Sequence, residues 1–188
     1  MIKKGIILAG GTGTRLSPLT KSVNKQLLPI HDKPMIFYPL SIMMLANIRK
    51  ILMIVNPGQV NNFKTLLGDG SRYGININYK IQDKPRGLPD AFNLGKSFIN
   101  NENVALILGD NFFYGQSLTQ KLEKAKKHKS GATIFLKEVS TPENYGVAKI
   151  RNKKIEKIIE KPKKFVSRNA ITAVSYTHLE PTRQIRIS

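Results

Sequence analysis

The residues best suited to chemistry stand near the amino terminus, in GIILAGGTGTRLSPLT, where a short apolar run gives way to glycines, threonines and an arginine. Gly10, Gly11 and Gly13 have no Cβ, so the backbone there can adopt positive φ and bring its N–H groups close to a bound group. Successive N–H groups of this kind form a nest for an anion, and Arg15 adds a planar cation that grips phosphate oxygens in pairs. Neither familiar nucleotide template is met. The GK[ST] ending of the P-loop is missing, and Arg15 and Leu16 stand where the dinucleotide fingerprint has its third glycine. The plainer reading, a glycine turn beside a surface arginine, loses ground because a second cation, Lys25, follows closely. An acid, Asp110, closes the apolar run VALILGD much further along.

These residues need strands and helices to hold them. Ile6, Ile7, Leu8 and Ala9 are continuously apolar, as in a parallel strand covered on both faces. Similar runs follow at 50–55, 104–110 and 132–139, with an alternating strand at 74–82. Between them, residues 33–49, 59–67, 88–99 and 117–129 have the length and composition of helices, with Pro34 suited to a first turn and Gly68 to a helix end. The alternation predicts a three-layer α/β domain with a mostly parallel central sheet and right-handed crossovers. Residues 145–162 read as a hairpin turning at RNKK, either added to the sheet edge or forming a small subsheet. In open α/β sheets, ligands bind beyond the carboxyl ends of the strands. The glycine loop after Ala9, QDKPRGLPDAF after Ile81, and Asp110 with Asn111 all fall at such ends, so one common site is expected.

With 188 residues, 40% of them hydrophobic, the chain can bury one good core, and its length predicts one domain or slightly more. No stretch approaches the roughly 20 apolar residues of a membrane helix. GIILAGG is too short for a secretory signal, so a cytoplasmic protein with no membrane partner is expected. The absence of cysteine removes any disulfide framework or thiolate metal site. Against 12 Asp and Glu there are 31 Lys and Arg, a formal net charge of +19, which attracts nucleic acid, acidic membranes or phosphorylated metabolites. The excess also fits lysines on solvated faces. Around LEKAKKHK, residues 122–129, Leu118, Leu122 and Ala125 share one helical stripe and the lysines occupy the others. No aromatic interleaving accompanies the basic runs, so nucleic acid is the weaker partner.

GGTGTRLSPLT followed by NKQLLPIHDKPMIFYPL closely resembles the signature of the bacterial sugar-1-phosphate nucleotidylyltransferases, and within them the glucose-1-phosphate thymidylyltransferases. The resemblance continues through LLGDGSRYGI, ILGDNFFYG, PENYGV and EKP, and so covers residues 2–172. It implies a Rossmann-like nucleotidyltransferase fold, Mg²⁺, and condensation of dTTP with glucose 1-phosphate to give dTDP-glucose and pyrophosphate. Arg15 and Lys25 match the catalytic cations that stabilise the triphosphate and the departing pyrophosphate, and Asp110 matches the Mg²⁺ ligand. Nucleotide binding falls to Leu8, Gly10, Gly11, Gly13, Thr14, Gln82 and Gly87. A glutamine amide, donor and acceptor at once, suits the edge of thymine or uracil. Tyr145, Gly146, Glu160 and Lys161 match the positions that contact the hexose and its 1-phosphate. Each also has a plainer reading: Asp110 as a turn cap, Gln82 as a strand end, Glu160 and Lys161 as a charged strand end.

Two departures from the family pattern shape the remaining expectations. Its members run much longer than this chain, and the resemblance implies a second metal-binding aspartate to which no residue here corresponds. Near NAITAVSYTHL the match decays. The expected organisation is therefore a nucleotidyltransferase domain over residues 1–173, incomplete at its carboxyl end, and a tail over 174–188 outside the family pattern. Homo-oligomers are implied only for full-length members. Rival readings are the same transfer with UTP or another sugar 1-phosphate, and a nucleotide-binding fragment without turnover.

Overall fold

The structure, a computed structural model, describes residues 2–11, 13–84, 86–127, 131–152 and 154–177, the last six as backbone only. Four parallel strands form its centre: β1 (Lys4–Ala9), β4 (Lys50–Val55), β5 (Asn76–Ile81) and β6 (Val104–Leu108), in the order β5-β4-β1-β6. Both faces of β1, β4 and β6 are apolar, with alternate residues serving opposite layers, while the edge strand β5 exposes Asn76, Asn78 and Lys80. Ile7, Ala9, Ile51, Met53, Val55 and Ile107 pack with Leu40 and Met43 of α1 (Phe37–Leu45) and with Phe63 and Leu67 of α2 (Val60–Leu67). Ile6, Leu52, Ile54 and Leu106 pack on the other side with Ala91 of α3 (Asp90–Leu94) and Ile99 of α4 (Lys96–Ile99). Burying each such large side chain stabilises the fold by about 1.5–3 kcal/mol before entropy is counted. The three-layer α/β expectation holds, because period-two strands with two apolar faces need a helical layer on each.

Beyond β6 the sheet turns antiparallel. Strand β10 (Asn169–Thr177) pairs antiparallel with β6 and with β7 (Gly131–Glu138), which follows α5 (Leu118–Lys126). A hairpin of β8 (Gly146–Arg151) and β9 (Lys154–Glu160) joins through β8 to β10, so the expected hairpin extends the sheet rather than forming one of its own. Strand β10 runs through the boundary expected between 173 and 174, and residues 178–188 lie outside those described.

Two expected helices change. The one at 33–49 starts only at Phe37, because Lys33–Pro34 (β3) pairs with Pro29–Ile30 (β2), and Met35 and Ile36 donate to Leu28 and Gln26 carbonyls at 2.9 Å each. The one at 88–99 breaks at Gly95, where a Cβ would stand 3.0 Å from Ile6 Cδ1 and 3.2 Å from Leu52 Cδ2, so the chain lies close on the sheet. Among the described residues no helix is long and apolar enough to cross a membrane.

Candidate active site

The chain leaves β1 towards β4 on one side and returns to β6 on the other, which makes the carboxyl ends of these strands a switch point. The glycine loop begins there, with each glycine held for a separate reason. At Gly10 a Cβ would lie 3.1 Å from Gln82 Oε1 and 3.2 Å from Asn56 Oδ1. Gly11 has φ +100°, and its backbone is gripped from both sides by Asn56: its N–H donates to Oδ1 at 3.1 Å and its carbonyl accepts from Nδ2 at 2.9 Å. Gly13 has φ +60°, and its carbonyl accepts from the Thr20 hydroxyl and the Leu16 N–H, each at 2.9 Å. Thr14, Arg15 and Leu16 form an exposed 3-10 turn after it.

Lys25 opens another 3-10 turn, capped by Asn24, whose Oδ1 accepts from Gln26 N at 2.9 Å. Its ammonium donates to Asp110 Oδ2 at 2.7 Å, with Lys25 and Asp110 side chains 30% and 33% exposed. A cation and an acid that lie 85 positions apart thus meet beside a pocket of about 230 Å³, lined by Leu8, Gly10, Gly11, Gln82, Gly87 and Asp110 among others. Gln82 is buried, and its Nε2 donates to Asp90 Oδ2 at 2.8 Å. Gly87 takes φ +84°.

Six of the expected residues therefore share one pocket, with Lys25 paired to one of them. Gly13, Thr14 and Arg15 do not line it; they stand on the loop that leaves it. The four expected sugar-phosphate residues gather elsewhere, at the open end of the β8–β9 hairpin. Gly146 sits opposite Glu160 in the register, where a Cβ would meet Glu160 Oε2 at 2.7 Å. The Lys161 N–H donates to the Tyr145 carbonyl at 3.0 Å, and the Tyr145 side chain is exposed.

Three site residues escaped the sequence reading. Asn56 follows β4 directly and becomes visible only once Ala9 is paired with Val55. Gln26, beside Lys25, lines the pocket and donates to the Gly10 carbonyl at 3.2 Å, while its buried Oε1 has no partner among the described residues. Asp90 lies in QDKPRGLPDAF, but nothing local shows that it meets Gln82.

For a metal, the described residues hold no cluster of three or more His, Asp or Glu. Mg²⁺ commonly takes only one or two carboxylates and completes its shell with phosphate and water oxygens. Asp110, at the pocket with one oxygen on Lys25, fits an ion shared with a bound phosphate.

A glycine loop with positive φ, a lysine and a carboxylate thus meet at the carboxyl ends of the parallel strands of an α/β fold. The chain belongs to the nucleotidyl transferase family, whose model matches residues 4–186. It is 53% identical over 174 residues to a glucose-1-phosphate thymidylyltransferase of Neisseria meningitidis, covering 92% of this chain and 60% of that protein. It is 50% identical over 175 residues to one from Xanthomonas campestris, covering 93% and 59%. The chain thus spans about 60% of the length of the curated relatives it matches. Among solved structures, a Bacillus anthracis protein assigned as a glucose-1-phosphate thymidylyltransferase superimposes with TM-score 0.86 at 39% identity, over 93% of this chain and 71% of that one. A UDP-glucose pyrophosphorylase complexed with UDP-glucose gives 0.78 at 27% identity, over 94% and 76%.

Proposed function

We propose that this chain carries the nucleotide-binding part of a glucose-1-phosphate thymidylyltransferase. It would transfer a thymidylyl group from dTTP to glucose 1-phosphate in the cytoplasm, within a homo-oligomer when full length. A phosphate oxygen of the sugar phosphate attacks the α-phosphorus, the bond to the β-phosphate breaks, and pyrophosphate leaves in one in-line displacement. No covalent enzyme intermediate is required. The observation that carries this reading is the Lys25–Asp110 pair at the mouth of the glycine-lined pocket. Lys25 and Arg15 neutralise charge that grows on the departing pyrophosphate, an interaction worth most where water is excluded. Asp110 would hold Mg²⁺, which supplies further neutralisation of the phosphates when bound. Leu8 and Gly10 wall the base, Gln82 and Gly87 select it, and the loop of Gly11, Gly13 and Thr14, shaped by the grip of Asn56 on Gly11, receives the phosphates. Tyr145, Gly146, Glu160 and Lys161 receive the sugar phosphate.

A second reading, transfer from UTP, is favoured by the likeness to a UDP-glucose pyrophosphorylase and by an amide that suits features shared by thymine and uracil. The test joins these residues to the carboxyl-terminal part of a full-length relative and measures Mg²⁺-dependent pyrophosphate release from glucose 1-phosphate with dTTP, UTP or CTP. Release fastest with dTTP is expected. Faster release with UTP selects the second reading, and none with any nucleotide refutes both. The 188 residues alone are expected to be at least about a hundredfold slower, because small misplacement of the reacting phosphates has effects of that size.

A further inference from the structure

We infer that Asp90 is a positioning residue that fixes which way round the Gln82 amide faces the base, and so sets a preference for bases carrying a ring N–H. The inference deepens the base-pocket reading above and rests on it. Gln82 and Asp90 are both buried, 5% and 7% exposed, and Gln82 Nε2 donates to Asp90 Oδ2 at 2.8 Å. A carboxylate only accepts, so only the NH₂ end of the amide can face it. Turned round, the amide would set Oε1 against a carboxylate oxygen at that distance, two acceptors with no hydrogen between them. Arg86 stabilises the same arrangement from the other side: its Nη1 lies 3.9 Å from Asp90 Oδ1, leaving Oδ2 for Gln82.

The other end of the amide lies against the glycine loop. A Cβ on Gly10 would stand 3.1 Å from Gln82 Oε1, and among the described residues no donor reaches that oxygen. Gly10 and Gln82 both line the pocket, whereas Asp90 does not and so acts through Gln82. The pocket is thereby offered an acceptor whose direction is set from behind. Thymine and uracil carry an N–H at ring position 3 and satisfy it. Cytosine carries a bare ring nitrogen there, and two facing acceptors leave a buried polar pair unsatisfied. A free glutamine could turn its NH₂ to cytosine; one held by Asp90 cannot.

The test titrates dTTP, dCTP and inorganic pyrophosphate separately into the 188-residue chain with Mg²⁺ by calorimetry, for the wild type and for Asp90→Asn. Asparagine keeps the size of the side chain but can donate as well as accept, so it releases the amide to face either way. The wild type is expected to bind dTTP roughly a hundredfold more tightly than dCTP, a ratio within reach of a site built to pair a substrate N–H. In Asp90→Asn the ratio should fall to about tenfold or less, through tighter dCTP and weaker dTTP, with pyrophosphate affinity unchanged. An unchanged dTTP to dCTP ratio, or an equal loss for both nucleotides and pyrophosphate, would show Asp90 to be merely structural and overturn the inference. A wild type that binds both nucleotides alike, or neither, overturns the base-pocket reading and this inference with it. Should Asp90→Asn fail to fold, the side-chain NH₂ resonances of Gln82 decide in the wild type. Resonances little moved by dTTP support a committed NH₂, and a large shift of both protons shows it turned to the base.

Discussion

Two ion pairs of the same chemistry and length sit at opposite ends of the parallel sheet. At the amino end, Lys4 donates to Glu102 at 2.7 Å, and its ammonium also bonds the Phe98 and Ile99 carbonyls at 2.7 and 3.1 Å. Both carbonyls end α4, where Ile99 also accepts from the Glu102 N–H at 3.0 Å, so a side chain only 10% exposed has every donor committed to holding that helix end on the sheet. At the carboxyl end, Lys25 has Asp110 as its single partner among the described residues, stands about a third exposed, and pairs there with an acid that lines a pocket. One pair is finished structure. The other leaves donors and an acceptor oxygen unspent where a ligand would bring phosphates and a cation. Neither distance nor residue type tells the two apart; what surrounds each pair does.

The largest expected effect breaks the carboxyl-end pair. In a full-length version, Lys25→Ala should lower kcat by about 2–4 kcal/mol of transition-state stabilisation, with a much smaller change in dTTP affinity and melting temperature. Arg15→Ala should act in the same direction. An unchanged kcat in either variant removes that residue from the catalytic set.

The mirror experiment is Lys4→Met. It should destabilise the fold by about 1–3 kcal/mol, because the Phe98 carbonyl loses its donor and Glu102 its partner, and leave kcat intact below the melting transition. Denaturant titration beside steady-state kinetics checks it; a kcat loss with stability unchanged would invert the assignment of the two ends.

Within the pocket, Gln82→Ala should weaken dTTP and UTP by about 1–3 kcal/mol while pyrophosphate binds as before. A parallel loss of pyrophosphate binding would make Gln82 a structural residue. The smallest effect concerns Glu102, whose carboxyl the Lys4 ammonium holds below the usual carboxylate range. A carboxyl so lowered adds stability above its unfolded pKa, and that contribution disappears as pH falls through the folded one. Glu102→Gln should therefore lower stability slightly at neutral pH and converge on the wild type as pH falls, which flattens the acid side of the profile; the effect is small because half of the side chain is in water. A profile that keeps its full acid slope in the variant would place that titration elsewhere.

The sequence shows such a site unevenly, for physical reasons. The apolar runs of β1, β4 and β6 and the glycines after Ala9 are local patterns, since a strand buried on both faces and a loop needing positive φ each dictate their own composition. Asp110 could be read because it ends such a run. The partnerships could not. Asn56 grips Gly11 only because β4 is the neighbour of β1, and Asp90 meets Gln82 only because the chain turns back between them. The antiparallel turn of the sheet after β6 was equally hidden, because alternation along β7 is the same whichever way its partner runs. The β2–β3 hairpin, two residues a side, is too short to have a period.

On the proposed function, the carboxyl end of the sheet is the nucleotide site and the amino end is not. Amide resonances of the 188-residue chain, followed while dTTP and Mg²⁺ are added, test it most directly. Shifts are expected to concentrate at Gly10, Gly11, Gln82, Gly87 and Asp110, with Lys4, Ile99 and Glu102 unmoved, and with Tyr145 and Gly146 responding only when glucose 1-phosphate follows. Shifts centred on the Lys4 end or on the lysine face of α5, with the glycine loop silent, would contradict it.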